Sequence, residues 1–274
     1  MAPATAGRDN RLMNVRCQAV EAAFAQPLTE ELMNASGIRA GMHVLVLGRR
    51  LTELALQIAE RVGPHGRVLA VHEDPHAVAE AQRRAYIEGF EHVRFHAQPF
   101  WRITLDEPVD AVFGRFALTH EHDPVAAIRR LSQFAHPGGR IAFQEWHYES
   151  VRWKETSGWP HVPLYDTFAR WSVEGLRRQH IHVDMGLRLV NAFTEAGLPV
   201  PQVRTDLRIV SGTTSLDYAF FESALRDVLP TIDGLVQASE IAVDTFAQRL
   251  ARQTVAVGGH IFLPLQVGAW SRAL

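Results

Sequence analysis

From residue 40 onward, short apolar runs alternate with amphipathic stretches of helical period. This alternation restricts the chain more than any other feature, because a buried strand followed by a crossover helix, repeated, builds a parallel sheet flanked by helices. The fold class expected is therefore α/β. With 274 residues and 47% hydrophobic composition, the chain can bury a large core, and a single decorated domain over 1–274 suits that length better than two independent ones.

The individual elements follow from their punctuation. His43 to Leu47 reads as the first strand, and Thr52, as N-cap, opens a helix to Val62 with Leu54, Ala55, Ile58 and Ala59 on one face. Arg67 to Val71 reads as strand two, and Asp74-Pro75 caps a helix ending near Gly89. Val93 to Phe95 and Asp110 to Arg115 supply two more strands; Asp123-Pro124 starts another helix, and Pro137-Gly138-Gly139 turns into a fifth strand, Arg140 to Gln144. A helix from Met185 to Ala196, a strand from Val203 to Val210 and a last strand from Ile261 to Trp270, antiparallel and inserted beside the sixth, complete a sheet of seven. Segments 151–182 and 212–257 interrupt this rhythm and read as helical insertions over a pocket. Residues 1–35, with Met13, Val20, Ala23, Phe24 and Leu28 at helical spacing, read as an N-terminal lid.

The charge balance narrows the partners. A formal net charge of -2 offers no general field for nucleic acid or an anionic membrane, and no run approaches the length of a membrane span. The single cysteine, Cys17, has no internal partner for a disulfide and reads as a packed small hydrophobe; no signal peptide is visible, so the expected location is the cytoplasm. The expected partners are a small organic substrate and, among macromolecules, at most a second copy of the chain as a homodimer. Metal binding is not expected: His120-Glu121-His122 places two histidines two apart, with no third ligand in sight.

Several stretches carry a resemblance. Gly41-Met-His-Val-Leu-Val-Leu-Gly48 followed by Gly63-Pro-His-Gly-Arg-Val-Leu-Ala-Val, the run from Asp110 to His120, Pro137-Gly-Gly-Arg-Ile-Ala-Phe-Gln-Glu and the terminal Val267-Gly-Ala-Trp-Ser-Arg are similar to class I, Rossmann-like S-adenosylmethionine-dependent methyltransferases, in particular a bacterial subgroup acting on small molecules. The resemblance spans roughly residues 35 to 272 and implies a seven-stranded, mostly parallel sheet with helices on both faces and a helical cap. It also implies where a cofactor would be gripped, and there this chain departs from the pattern. The first loop keeps Gly48 but has Arg49, Arg50 and Thr52 where small residues are usual, and Val46 stands for an acid. His72 occupies the ribose position, with Glu73 one residue on, and Pro99 the adenine position. Read from those departures, no cofactor is expected to be needed, with S-adenosylmethionine as the alternative.

Ligands of open parallel sheets sit outside the carboxyl ends of the strands, which selects the residues after strands four and five. Glu145, His147, Tyr148 and His120 are the expected acid/base groups, since carboxylate, imidazole and phenol can exchange protons with a substrate. Arg115, Gln144, Trp146, Tyr165, Arg170 and Trp171 are the expected substrate contacts, polar groups to orient and broad rings to desolvate. The leading expectation is an enzyme repurposed for non-methylating cyclisation, isomerisation or elimination of a small, specialised metabolite. A working methyltransferase and a non-catalytic binding protein stand as alternatives.

Overall fold

A computed structural model describes residues 23–48, 51–156, 158–213, 217–232 and 242–274. Strands β1 (His43–Gly48), β2 (Arg67–His72), β3 (Val93–Ala97), β4 (Val109–Arg115) and β5 (Ala135–His147) come first in chain order. Beyond them lie β6 (Gln202–Asp206), β7 (Ile209–Val210), β8 (Ile261–Phe262) and β9 (Leu265–Arg272). Seven of these form one sheet in the order β3-β2-β1-β4-β5-β9-β6. β1 pairs in parallel with both β2 and β4, Val44 lying opposite Val68 on one side and Ala111 on the other. Val44 to Leu47 are all buried, as expected of a strand covered on both faces.

Helices follow the strands: α1 (23–36), α2 (Leu51–Val62), α3 (Pro75–Ile87), α4 (Pro124–Ser132), α5 (Pro163–Arg178), α6 (Met185–Glu195), α7 (Tyr218–Val228) and α8 (Phe246–Ala256). The two Asp-Pro signals act as expected. Asp74 accepts from the His76 N–H at 2.8 Å and Asp123 from the Ala126 N–H at 2.9 Å, each satisfying a donor that the first helical turn leaves open. Leu54, Ala55, Ile58 and Ala59 of α2 enter a core with Val44, Val46, Ala111 and Phe113 of the sheet. Thr52 lies inside α2, so the expected N-cap role does not hold.

Three strand boundaries differ from expectation for local reasons. The Pro137-Gly138-Gly139 turn is absorbed into β5 as an irregularity: the partners shift from Val109 opposite Ala135 to Ala111 opposite Arg140. The expected strand from Val203 to Val210 is two strands, β6 and then β7, the latter pairing antiparallel with β8 in a separate small sheet. The expected last strand is likewise divided into β8 and β9, with Pro264, which has no N–H to give a ladder, between them. β9 is inserted between β5 and β6.

Contacts group the chain into two compact units. One holds Leu28–Trp146, Asp184–Thr205 and Gln266–Leu274, which is most of the large sheet with α2, α3, α4 and α6. The other holds His147–Val183 and Asp206–Leu265 with the described residues before 28. In it α5, α7 and α8 meet on aromatic rings: Phe168 packs edge-on against Phe221 at 5.3 Å, Tyr165 does the same at 5.8 Å, and Phe246 lies 6.0 Å from Phe168. Among the described residues no helix is long and apolar enough to cross a membrane.

Candidate functional site

The order of the large sheet reverses at β1, where the chain first builds outward through β2 and β3 and then returns through β4. At such a reversal the carboxyl ends of neighbouring strands face a crevice. A cavity of about 530 Å³ occupies that position. Leu47 and Gly48 from β1, Val71, His72 and Glu73 from the end of β2, Gln98 and Trp101 after β3, and Phe116, Ala117, Leu118, His120, Glu121 and His122 after β4 line it.

Gly48 has φ of 140°, and a Cβ there would stand 2.0 Å from the Arg115 carbonyl oxygen, so only glycine lets β1 end against β4. The His72 ring turns back on its own chain, where Nδ1 accepts from the Asp74 N–H at 3.0 Å. Glu73 is exposed and contributes to the lining, which makes it the acid available at the end of β2. Pro99 is half-buried and is not part of the lining, while its neighbour Gln98 is. Arg49 and Arg50 lie outside the described residues.

The wall contributed by residues 116–122 is held from behind by three successive residues of β5. The Phe116 N–H donates to the Gln144 carbonyl at 2.8 Å. Glu145 Oε1 accepts from the N–H groups of Ala117 at 2.9 Å and Leu118 at 2.8 Å. The Trp146 ring stacks on that of Phe116. These fastenings hold Phe116 at φ of 54°, a left-handed conformation that a bulky residue rarely adopts.

Side chains read from the sequence as substrate contacts are largely interior. Thr29 Oγ1 donates to Gln144 Oε1 at 2.6 Å, Gln144 Nε2 donates to Gln266 Oε1 at 2.7 Å, and Arg115 Nη1 donates to Thr29 Oγ1 at 3.4 Å, all in buried surroundings. Arg115, Gln144, Glu145 and Trp146 are thus structural neighbours of the wall, whereas Gly48, His72, Glu73 and His120 come together in the cavity itself. His147, Tyr148, Tyr165, Arg170 and Trp171 belong to the other compact unit. There the His147 ring lies 5.6 Å from Trp153, the Tyr165 hydroxyl donates to the Phe262 carbonyl at 3.0 Å, and Arg170 is exposed. Burial pushes the Tyr165 phenol well above its ordinary range, against a proton-transfer duty near neutral pH.

Two carboxyls are shifted strongly. Burial raises Glu145 to about 8 despite the backbone N–H groups of residues 117–119, which favour its charged form. Burial and then the nearby Glu73 charge raise Glu121 to about 7. Glu121 therefore gains and loses a proton in the range where a cavity group can serve as acid or base. Sequence reasoning missed Glu121, Phe116, Gln98 and Trp101 as site residues. Their only sequence signal is position, each within a few residues of a strand's carboxyl end.

Residues 38–172 match the model of a family described as a methyltransferase domain. A curated protein from Streptomyces fradiae, an uncharacterised 37.1 kDa protein of transposon TN4556, is 24% identical over 63% of this chain. This chain spans about half, 48%, of that protein's length. Among solved structures, the (4+2)-cyclase SpnF is 17% identical, covers 91% of this chain and 82% of its own, and has a TM-score of 0.52. Phosphoethanolamine N-methyltransferase 2 of Haemonchus contortus, solved in complex with S-adenosyl-L-methionine, is 18% identical over 91% of this chain and 53% of its own, with a TM-score of 0.54. Identities this low show a shared fold. These findings overturn the expectation, drawn from Arg50, Thr52, His72 and Pro99, that no cofactor is needed. The physical reason lies in the cavity, which has Gly48 in its lining and keeps an acid there through Glu73.

Proposed function

We propose that this chain is a class I methyltransferase that binds S-adenosylmethionine in the cavity at the end of β1 and methylates a small organic acceptor, a reading supported by the match of residues 38–172 to a methyltransferase domain. The observation that carries this reading is the composition of the cavity. Leu47, Trp101, Phe116 and Leu118 provide apolar and aromatic surface for a nucleoside, Gln98 a donor and an acceptor for a base edge, and Glu73 a carboxylate for ribose hydroxyls. The donor set fits the group, with Glu73 doing one position later what an acid at residue 72 would do. When bound, S-adenosylmethionine supplies an electrophilic methyl carbon.

The chain's own contribution is positioning and proton management. The wall from Phe116 to Leu118 excludes water from one side of the cavity, which strengthens every polar contact within it. His120, Glu121 and His122 stand in the lining after that wall, where a side chain can take the proton that a hydroxyl or amine acceptor gives up. Shape complementarity and the fixed wall orient the acceptor.

The likeness to SpnF favours a second reading, in which the same cavity is kept and the chemistry is ring closure without methyl transfer. Mass spectrometry separates the two. Incubating the chain with S-adenosylmethionine and a panel of small hydroxyl- and amine-bearing metabolites should release S-adenosylhomocysteine and yield a product in which a methyl group has replaced a hydrogen, a net gain of CH2. A product of unchanged mass with no S-adenosylhomocysteine would support ring closure and defeat the first reading.

A further inference from the structure

We propose that Glu145 is a positioning residue, whose carboxyl holds residues 116–118 in the arrangement that shapes the cavity wall. The ligand's identity rests on the cofactor reading above; the positioning does not.

The chain leaves β4 at Arg115 and must turn at once. Phe116 takes the left-handed conformation, and a 3-10 turn runs from Leu118 to His120. The first N–H groups of such a turn have no partner within it and need an acceptor from elsewhere. Glu145 supplies one from β5, a fully buried oxygen that takes both the Ala117 and Leu118 N–H groups. A buried carboxyl is unfavourable unless its oxygens are used, so its presence in the core needs a reason. The reason is not contact with a ligand, since Glu145 is not among the cavity-lining residues; the residues it fastens are. The Thr119 N–H also faces this carboxyl, while Oε2 is buried and makes no hydrogen bond, so an uncharged acceptor in the place of Oε1 is enough to hold the turn. A glutamine at 145 presents the same acceptor, whereas a leucine fills the space and leaves two N–H groups unsatisfied.

The test uses the full chain with Glu145→Gln and Glu145→Leu, read by amide exchange of residues 116–120 and by calorimetric binding of S-adenosylhomocysteine. In folded Glu145→Leu, the Ala117 and Leu118 amides should exchange at least about 30-fold faster, while amides of β1 are unchanged. Affinity for S-adenosylhomocysteine should fall at least about 10-fold. Glu145→Gln should stay within about threefold of the parent on both measures. If Glu145→Leu does not fold, Glu145→Asp, which withdraws the acceptor by one methylene, should show the same pattern. Exchange in the leucine or aspartate variant within about twofold of the parent overturns the proposal. So does a glutamine variant as damaged as the leucine one. If the parent chain binds no S-adenosylhomocysteine, the cofactor reading falls and the exchange rates alone decide for or against Glu145.

Discussion

Phe116 and Trp146 stack nearly face to face, with ring centroids 4.9 Å apart and planes 12° from parallel. The pair joins the cavity wall to the sheet: Phe116 lines the cavity, and Trp146 is a fully buried residue of β5. Replacing Trp146 by alanine removes both the stack and the volume behind the wall. Trp146→Ala should lose about 3–5 kcal/mol, read from the urea unfolding midpoint at unchanged slope. Trp146→Phe, which keeps a ring against Phe116, should lose less than half as much.

Gly48 makes a different kind of demand. A Cβ there meets backbone, the Arg115 carbonyl oxygen at 2.0 Å, and backbone within a paired strand has little room to move. Gly48→Ala should therefore destabilise by about 3 kcal/mol or more. Gly138→Ala is the comparison, because φ there is 77° but no atom lies within 4 Å. It should cost only the left-handed penalty of about 1–2 kcal/mol. Equal losses at the two positions would contradict the close packing of β1 on β4.

Stability should fall as pH rises through the neutral range. Glu145 is raised to about 8 and Glu121 to about 7 from an ordinary value of 4.5, so between these limits the folded chain keeps protons that the unfolded chain releases. That difference favours unfolding increasingly as pH rises, with the full benefit of the neutral carboxyls present below about 4.5 and lost through about 7–8. The groups acting on this pair are Glu73 on Glu121 and Glu121 on Glu145, both like charges. Thermal unfolding should show Glu145→Gln matching the parent near pH 5 and exceeding it at pH 9. Parallel curves over this range would show that Glu145 is not held neutral.

Glu73 is exposed, so its removal should leave folding intact, within about 0.5 kcal/mol. Its expected duty is to accept hydrogen bonds from ribose, and a charged acceptor of this kind contributes on the order of 1.5–3 kcal/mol. Glu73→Ala should therefore weaken S-adenosylmethionine binding by about 10- to 100-fold in calorimetry. His72→Ala should change it far less, because the His72 Nδ1 is engaged by the Asp74 N–H. The opposite ranking would return the ribose contact to residue 72.

The sheet was legible because its signals are local. Asp74-Pro75 and Asp123-Pro124 cap helices wherever they occur, and the buried run from Val44 to Leu47 has few alternatives to a central strand. Pro264 is an equally local signal, and it divides the apolar run from Ile261 to Trp270 into two strands. The site was harder for a physical reason. Period-two alternation places Glu145 on a face of β5 but does not say whether that face meets a ligand or the loop after β4. Only the left-handed turn at Phe116 decides it, and nothing in a phenylalanine announces positive φ. The cofactor expectation failed similarly: substitutions at 50, 52, 72 and 99 are visible in sequence, whereas an open cavity with Glu73 in its wall is visible only in three dimensions.

Every functional role proposed for these residues requires the cavity beside Gly48 to accept S-adenosylmethionine. Titrating S-adenosylmethionine into the full chain in a calorimeter tests this directly. Saturable binding of one molecule per chain, with Kd on the order of micromolar, is the predicted result. No heat of binding at ligand concentrations up to about 1 mM would contradict it.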